Sequence, residues 1–505
     1  MNRSYLLLWG LLGLMMIGIW LLLRSFAGSA YPVLTTDAAA FLPPAATWEV
    51  SGELQNPVYP LNQRLGLDAA DQRMLYYVPL YPMALGWLMP DTSVEAMYQG
   101  NHVLILLTLI AYSGFIALFI RRQTSLPLWL GLSLAAWGMI GLMTGLDART
   151  GRPELLTHLL LWAGMATSFW KHEIGRSAIH GVIFGLMCFT HMLGGIYLGL
   201  LVAIYYTYKG LSLKEIASFA GGTLGTGLIL LGLSPYSLPE MLEGVMLHLK
   251  MQAERTPPTW SGFIRSFVLG YVYTFYFFLF VAALVSVGLM SRRFFQRAKF
   301  PLLMGGAILL LLVVMGYFSF RTTETTYNLY LLAPVFFLLV LWPLAKDWKV
   351  LEGKRLVWPI ALAGLFALLS IGMVKRTVLF VKHQQKGISH AQTTHELAQL
   401  PWDSLDKVGV SFSLFPLIES EYWDKIEVVS PHGLSALGSR FDLLILQQTY
   451  SGNKTPRDVP DYTLIRNNFL SNSVQFSGIK IANIIPGYQY ALYQPAALST
   501  TLMQP

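Results

Sequence analysis

Long apolar runs alternate with short polar segments over roughly the first three quarters of the chain. A helix needs about 20 mostly apolar residues to cross the hydrocarbon core of a bilayer. The run at 178–208 is too long for one upright span and has His191 near its middle, so it predicts two short helices joined there. With that pair, the pattern predicts about eleven spans. The apolar runs are 5–23, 101–120, 125–145, 155–170, 178–208, 216–233, 266–290, 300–318, 329–345 and 357–373.

Lysine and arginine fall in alternate polar segments. Because positive charge is concentrated on the cytoplasmic side of membrane proteins, this bias predicts a cytoplasmic N-terminus, and an odd number of spans then places the C-terminal tail outside. The segments predicted to be inside carry Arg121 and Arg122, Lys171 and Arg176, Lys209 and Lys214, Arg292 and Arg293, and Lys346 to Arg355. Those predicted to be outside are richer in Pro, Thr, Tyr and acidic residues, and comprise 24–98, 146–154, 234–265 and 319–328.

From Lys375 onward the hydrophobicity falls and the pattern changes. Short β-like runs alternate with two helical stretches, which predicts a small α/β domain with a sheet. The expected fold is therefore mainly α: a polytopic transmembrane helical bundle, 1–374, followed by a small extracytoplasmic α/β domain, 375–505. The simplest role for that domain is a structural cap. The β-like runs are 408–412, 426–429, 443–446, 462–465 and 488–493, and the helical stretches are 390–400 and 416–423.

Composition agrees with a membrane protein, because 54% of the residues are hydrophobic and only 12% are charged. The net charge of +8 does not indicate a nucleic-acid partner, since the basic residues lie in short segments between apolar runs. A single cysteine, Cys188, excludes an intrachain disulfide. No cofactor is assigned: a divalent metal is chemically conceivable, but no cluster has a convincing ligand spacing, so no metal site is predicted.

Asp37 is the lone acidic residue of the stretch 34–41, which lies in the first outer segment shortly after the first span. At that depth its carboxylate is within reach of lipid headgroups. One interpretation is a helix N-cap for 38–48, because aspartate caps helices well and an Ala-rich stretch follows. The other interpretation is a chemically active carboxylate, and the residues themselves leave both open.

The same outer segment holds two arginines and a stretch rich in tyrosine and proline. Arg64 and Arg73 precede the run from Tyr77 to Pro82, which includes Tyr81. Its prolines break a spanning helix and its tyrosines favour the membrane interface, so we expect this run to lie along the membrane surface. It could hold a lipid tail beside a headgroup site, or be simply an interfacial anchor.

A charged turn joins the third and fourth spans and contains Asp147, Arg149, Arg152 and Glu154. Charges this close to the bilayer are costly unless they pair or face a polar cavity. One interpretation is mutual pairing, Asp147 with Arg149 and Arg152 with Glu154. The other is phosphate binding, for which the planar guanidinium fork is well suited.

A further outer segment carries Arg321 and Tyr327 among several threonines and Asn328. These groups could orient a sugar or a diphosphate, or form an ordinary solvated loop. His191 is more typical of a histidine at a helix break than of a ligand.

Taken in their order along the chain, these features resemble the GT-C superfamily of polyprenyl-phosphate-sugar glycosyltransferases, close to the protein O-mannosyltransferase and lipid A aminoarabinose transferase branch. Three matches carry the resemblance: the acidic residue Asp37, the Tyr- and Pro-rich run at 77–82, and the turn Gly151-Arg152-Pro153-Glu154. The run from Tyr330 to Pro334 and the C-terminal domain add support. The mannosyltransferase branch usually has an acidic pair in the first loop, whereas Ala38 follows Asp37 here.

The resemblance implies a catalytic role for Asp37, as a general base or as the group that orients the acceptor. It implies a lipid-linked sugar donor and membrane lipid as partners, and the inner membrane of a bacterium as the location. Two alternatives stay open: a transporter or lipid flippase, and a scaffold subunit without chemistry of its own. The expected substrate-binding residues are Arg64, Arg73, Tyr77, Tyr81, Asp147, Arg149, Arg152, Glu154, Arg321 and Tyr327.

Overall fold

A computed structural model of the chain shows a mainly helical protein with a small sheet in its C-terminal region. Five of the predicted runs, 125–145, 266–290, 300–318, 329–345 and 357–373, lie outside the residues that the structure describes, so the count of eleven spans stays a prediction. The described residues are 3–31, 38–58, 78–122, 151–191, 194–195, 198–199, 202–203, 206, 210, 212–253, 377–429, 439–447, 458–470, 473–476, 479–482 and 487–496.

Eight helices of the N-terminal part have described bounds, and five of them overlap the predicted apolar runs. They are α1 (Arg3–Ala27), α2 (Ala38–Ser51), α3 (Leu80–Leu88), α4 (Val94–Arg122), α5 (Glu154–Thr167), α6 (Glu173–Thr190), α7 (Leu213–Leu233) and α8 (Leu238–Ala253).

Within the described ranges, three helical segments are long and apolar enough to cross a membrane: Trp9–Ala27, Val94–Phe119 and Leu213–Leu233. They match the predicted runs 5–23, 101–120 and 216–233, which supports membrane association. The predicted run 155–170 forms a helix of only 14 residues, α5. At about 1.5 Å per residue, it is shorter than a bilayer core of about 30 Å.

Helices α4 and α5 run side by side in the same direction. The Thr108 hydroxyl, midway along α4, donates at 3.3 Å to the carbonyl oxygen of Leu155 near the start of α5, and the rings of Tyr112 and Trp162 lie 4.7 Å apart further along. Arg122, the last residue of α4, donates to the Phe169 carbonyl oxygen at 2.7 Å. The two helices therefore end at the same end of the bundle.

Helices α6 and α7 also run parallel and pack through glycines. A Cβ on Gly222 would stand 2.3 Å from the Ala178 carbonyl oxygen, and one on Gly181 would stand 2.1 Å from the Phe219 carbonyl oxygen. Small residues let two helix backbones approach closely, which is how many membrane helices associate. These glycines make α6 and α7 one tightly packed pair.

The bundle has two chemically different ends. One end carries Arg122 of α4 and Arg176 of α6, and Arg176 lies 3.8 Å from Glu215 at the start of α7. The opposite end, here called the loop end, holds Ala30, Leu54 and Gly151, where α1 ends and α5 begins. The described parts of three segments predicted to be outside, 24–98, 146–154 and 234–265, thus meet at the loop end, away from Arg122 and Arg176.

The predicted interruption at His191 is confirmed. Helix α6 ends at Thr190, and His191 has extended backbone angles. The chain is helical again at Gly194, whose backbone N–H donates to Nδ1 of His191 at 3.1 Å. His191 therefore accepts a hydrogen bond from a backbone N–H at the start of the next helical stretch.

The C-terminal region contains a small sheet, as predicted, with seven strands in the described residues. Its main sheet has the order β2-β1-β3-β7-β4, in which β1 is parallel to β2 and β3, and β7 is antiparallel to β3 and β4. A separate hairpin joins β5 to β6. The strands are β1 (Val408–Ser411), β2 (Ile426–Val429), β3 (Leu443–Gln447), β4 (Tyr462–Asn467), β5 (Val474–Phe476), β6 (Ile479–Ala482) and β7 (Tyr490–Pro495).

The two predicted helical stretches of this domain have different outcomes. The first forms α9 (His390–Ala398), capped by the Ser389 side chain, which accepts from Gln392 N at 3.1 Å. The second is divided into two 3-10 turns, Phe415–Leu417 and Ser420–Lys425. Ile418 and Glu419, which lie between the two turns, have ψ angles of 134° and 139° and interrupt the helix, and the Trp423 ring N–H donates to the Ile418 carbonyl oxygen at 3.0 Å.

Candidate functional site

Three of the eleven residues predicted for the site lie among the described residues: Tyr81, Arg152 and Glu154. The structure brings these three together at the loop end. The other eight lie outside the described residues, namely Asp37, Arg64, Arg73, Tyr77, Asp147, Arg149, Arg321 and Tyr327.

The centre of this cluster is Asn101 of α4, a fully buried residue that the sequence analysis did not single out. Its Oδ1 accepts a hydrogen bond from the Tyr81 hydroxyl at 2.9 Å and another from the Gly151 backbone N–H at 3.0 Å. Its Nδ2 donates to the Met97 carbonyl oxygen at 2.8 Å. One amide side chain therefore joins the Tyr- and Pro-rich run to the charged turn. The sequence signal that could have identified Asn101 was its position as a polar residue at the edge of a predicted apolar span.

Gly151 brings the charged turn against the start of α2. Its φ is +82°, in the left-handed region, and a Cβ at this position would stand 2.9 Å from the Ala38 Cβ. Glycine is the residue that accepts both conditions, because it has no Cβ. Ala38, the residue that follows Asp37 in the chain, is thereby packed directly against the Gly151-Arg152-Pro153-Glu154 turn.

Arg152 and Glu154 form a bidentate ion pair. The Arg152 Nη2 lies 2.9 Å from Glu154 Oε1, and its Nε donates to Glu154 Oε2 at 3.1 Å. The Glu154 side chain is only 1% exposed and that of Arg152 is 15% exposed. Two parallel charge-assisted hydrogen bonds fix the plane of the guanidinium group. The pairing predicted for these two residues is present, and it fixes the orientation of the guanidinium edge that carries Nη2 and Nε.

Tyr81 stands beside this ion pair on α3. Its ring packs edge-on against Phe41 of α2 at 5.5 Å, so α2 and α4 hold it from two sides. Burial raises the pKa of Tyr81 well above its ordinary value, and the Glu154 carboxylate raises it further, against a smaller lowering by Arg152. Tyr81 is therefore a neutral hydrogen-bond donor at physiological pH.

Helices α2 and α3 form the wall around this cluster. Helix α3 begins directly after Pro79 and is nine residues long, as expected where prolines interrupt a run. A Cβ on Gly86 of α3 would stand 2.6 Å from the Ala45 carbonyl oxygen of α2, so the two backbones nearly touch. The side chains of Trp48 and Trp87 meet at a ring distance of 6.3 Å. Trp87 is exposed, which is typical of a residue at a membrane interface.

Metal ligation gains no support from the part of the chain that the structure describes. No group of three or more His, Cys, Asp or Glu side chains there could hold a metal ion. What the described cluster offers is a cationic side chain held in place by a carboxylate, a tyrosine hydroxyl and an amide. This is a set that orients polar or anionic groups.

Comparison with known proteins adds no relative on which to base a role. No family model matches the chain, and no curated protein matches it. A role for the chain is therefore inferred from its residues and from the geometry of the loop end.

Proposed function

We propose that the chain is a membrane glycosyltransferase of the GT-C kind, which moves one sugar from a polyprenyl-phosphate donor to an acceptor at the outer face of the membrane. The observation that carries this proposal is the packing of Gly151 against Ala38. That contact joins the arginine-bearing turn to the residue that follows Asp37. Both motifs are parts of the resemblance, and they are about 110 positions apart in the chain.

The proposed reaction is a single displacement with inversion. The acceptor hydroxyl attacks the anomeric carbon while the Asp37 carboxylate takes its proton, as a general base. The bond between the anomeric carbon and the phosphate oxygen breaks, and the electron pair leaves with polyprenyl phosphate. Negative charge develops on that oxygen, and arginine in a partly dehydrated site stabilises it.

Arg152 is the described residue best suited to the phosphate. Its guanidinium plane is fixed by Glu154, so little side-chain freedom is lost when an anion binds. Tyr81 lies next to the pair and donates its one hydroxyl hydrogen to Asn101, so its oxygen is proposed to accept a hydrogen bond from a sugar hydroxyl. Arg64, Arg73, Arg149 and Arg321 remain proposed phosphate contacts, and Tyr77, Asp147 and Tyr327 remain proposed substrate contacts, from the sequence alone.

The proposed setting is the inner membrane of a bacterium, with about eleven spans. The cytoplasmic N-terminus and the outer position of the loop end are part of this proposal. It is supported by the two ends of the bundle, since Arg122 and Arg176 lie at the end opposite Gly151. Positive charge on the cytoplasmic side is the usual arrangement.

The experiment begins with mass spectrometry of lipid-linked sugars in cells that lack the protein, where the unused donor accumulates. That lipid fraction is then supplied to the purified full-length chain in nanodiscs. We expect sugar transfer by the natural chain and a loss of at least about 100-fold in Asp37→Asn, the usual scale of general-base catalysis. Asp91→Asn is the matched control, because Asp91 is an exposed aspartate of the same outer segment. Full activity in Asp37→Asn contradicts the catalytic role.

A transporter or lipid flippase is the second candidate, favoured by one observation. His102 of α4 and His158 of α5 are both buried. Ionisable residues inside membrane helices often mark a transport or proton pathway. Movement of the lipid-linked sugar across proteoliposomes without any transfer of the sugar is the outcome that selects this candidate over the first.

A further inference from the structure

The C-terminal domain bonds to the first outer segment on both sides of α2. The Tyr488 hydroxyl donates to the Ala30 carbonyl oxygen at 2.5 Å, and the Val428 backbone N–H donates to the Val58 carbonyl oxygen at 2.7 Å. Ala30 precedes α2 and Val58 follows it. The stretch between these two anchors contains Asp37. The domain is therefore attached to the segment for which chemistry is proposed, at both of its ends.

Tyr488 is the central residue of this attachment. A tyrosine hydroxyl has one hydrogen, which here goes to the Ala30 carbonyl, so Tyr98 of α4 is the donor in the Tyr98–Tyr488 contact at 3.3 Å. The result is a directed chain of hydrogen bonds from Tyr98 through Tyr488 to Ala30. Ala30, Tyr98 and Tyr488 are all fully buried, where a hydrogen bond is costly to lose.

Ala30 itself has an unusual backbone. Its φ of +43° lies in the left-handed region, which an alanine rarely adopts. A conformation of this kind persists only where surrounding contacts hold it. The hydrogen bond from Tyr488 is a contact of that kind, and it acts at the point where the chain leaves α1 toward Asp37.

Hydrogen bonds within the C-terminal domain fix the backbone of Tyr488. The Tyr488 backbone N–H donates to the Ile388 carbonyl oxygen at 3.2 Å, and the Tyr488 carbonyl oxygen accepts from the Thr393 hydroxyl at 2.7 Å. A second polar contact lies nearby, where His390 Nε2 is 2.5 Å from Glu95 Oε1. The position of the Tyr488 ring is thus set by the fold of the domain.

Three residues of α4 connect this attachment to the candidate site. Glu95, Tyr98 and Asn101 are spaced by three, so they lie along one face of the helix. The first two contact the C-terminal domain, and the third binds Tyr81 and Gly151. The same helix face therefore touches both the domain and the site.

We propose that Tyr488 is a positioning residue, through which the C-terminal domain holds the Asp37 segment in place for sugar transfer. This inference rests on the proposed function, and it makes the domain part of the catalytic apparatus, in contrast to a structural cap. Tyr488 acts through the backbone of Ala30 and is not itself assigned a contact with substrate.

The test compares Tyr488→Phe with Tyr490→Phe in the full-length protein. Phenylalanine fills nearly the same space in both, and the Tyr490 hydroxyl bonds to Glu396 within the domain, so only the first variant loses contacts with Ala30 and α4. Hydrogen–deuterium exchange is followed in peptides from the region 27–45. We expect exchange there to be about fivefold faster in Tyr488→Phe, the scale of one lost hydrogen bond, and unchanged in Tyr490→Phe.

The second readout is steady-state sugar transfer. We expect kcat to fall roughly tenfold in Tyr488→Phe with an unchanged KM for the donor, because a misplaced catalytic group slows chemistry without loosening donor binding. Unchanged exchange at 27–45 overturns the inference, and so does faster exchange with an unchanged kcat. If the natural chain transfers no sugar at all, the proposed function fails, and the exchange measurement alone decides whether Tyr488 holds the segment.

Discussion

Gly151 and Ala38 are packed so closely that a methyl group on Gly151 would stand 2.9 Å from the Ala38 Cβ. The contact joins the charged turn before α5 to the first residue of α2, and therefore to the residue after Asp37. In a chain whose candidate chemistry comes from separate outer segments, this contact determines whether those segments act together. The first prediction tests this contact.

The first prediction concerns the glycine itself. Gly151→Ala adds a Cβ that meets Ala38 and also requires a left-handed backbone, so we expect a clearly lower midpoint of thermal unfolding and a loss of sugar transfer. Gly52→Ala separates the two effects, because Gly52 has a φ of +72° and open space around it. Its cost is that of the backbone alone, about 1 kcal/mol. Equal effects of the two substitutions would show that the contact with Ala38 is unimportant.

The second prediction concerns Asn101. Asn101→Ala leaves the Tyr81 hydroxyl and the Gly151 N–H without their acceptor, and each unsatisfied buried donor costs about 1–3 kcal/mol. We expect a large decrease in the free energy of unfolding in mixed micelles. Ser113→Ala is the control in the same helix, since the buried Ser113 hydroxyl donates to the Leu109 carbonyl oxygen of its own helix. A similar, small change in both variants is inconsistent with the role given to Asn101.

The third prediction concerns the shape of the Arg152 guanidinium group. Arg152→Lys keeps the positive charge and loses the bidentate fork to Glu154, so we expect kcat/KM for the donor to fall by about tenfold or more. Arg440→Lys provides the comparison, because Arg440 is a partly exposed arginine of the C-terminal domain that also pairs with a glutamate, Glu427. If the kinetics of Arg152→Lys are the same as those of the natural chain, this position requires a positive charge but not a guanidinium group.

The fourth prediction concerns pH and the C-terminal domain. Burial raises the pKa of Glu396, but hydrogen bonds from Tyr490 and Gln392 and the charge of Arg466 outweigh it, so the net pKa is below its ordinary value of about 4.5. A depressed pKa means that the folded form binds the proton less readily than the unfolded form. The stabilisation by Glu396 is thus present above pH 4.5 and is lost as the pH falls through the folded pKa.

This pH dependence can be measured by thermal unfolding of the full chain between pH 6 and about pH 3, the range in which carboxylates of this kind titrate. Glu396→Gln removes the titrating group, so we expect its unfolding midpoint to fall less steeply with acidification than that of the natural chain. Glu419→Gln, at an exposed position of the same domain, serves as the control for the loss of one carboxylate. The same steep slope in Glu396→Gln assigns the acid sensitivity to other groups.

The fifth prediction uses two adjacent glycines of α7. Gly222→Ala pushes a Cβ to 2.3 Å from the Ala178 carbonyl oxygen of α6, whereas Gly221→Ala has nothing within 4 Å. We expect the first substitution to separate the helices and lower the unfolding midpoint. The second is expected to be neutral or slightly stabilising, because alanine is the better helix former by about 1 kcal/mol. The opposite order of stabilities would show that α6 and α7 do not pack through their glycines.

Local patterns predicted several elements well. The helix beginning after Asp37, the interruption at His191 and the five strands of the main sheet all follow from short-range signals: an Ala-rich run, a polar break and alternating apolar residues. The hairpin β5–β6 was missed because its strands, Val474–Phe476 and Ile479–Ala482, are too short to show periodicity. The stretch at 416–423 has a helical composition, but ψ angles of 134° and 139° at Ile418 and Glu419 divide it into two 3-10 turns.

Long-range relationships were not accessible in the same way. In the sequence, Asn101 is one polar residue at the edge of an apolar run. Its two hydrogen-bond partners, Tyr81 and Gly151, are 20 and 50 positions away. The sequence pattern predicts that a strand starts at Tyr488. In the structure the Tyr488 N–H bonds to Ile388, and β7 begins only at Tyr490. Local periodicity contains no information about which distant backbone carbonyl a buried hydroxyl will meet.

The Tyr98–Tyr488 contact joins residues 390 positions apart, and Ala30 is more distant still. The ribosome makes Ala30 and Tyr98 long before Tyr488, so the helices that carry the first partners can fold before the third partner exists. The junction is completed only when the segment that contains Tyr488 has been made and folded. A nascent or prematurely terminated chain is therefore inserted but unfinished, and synthesis itself delays the moment at which the first loop takes its final shape.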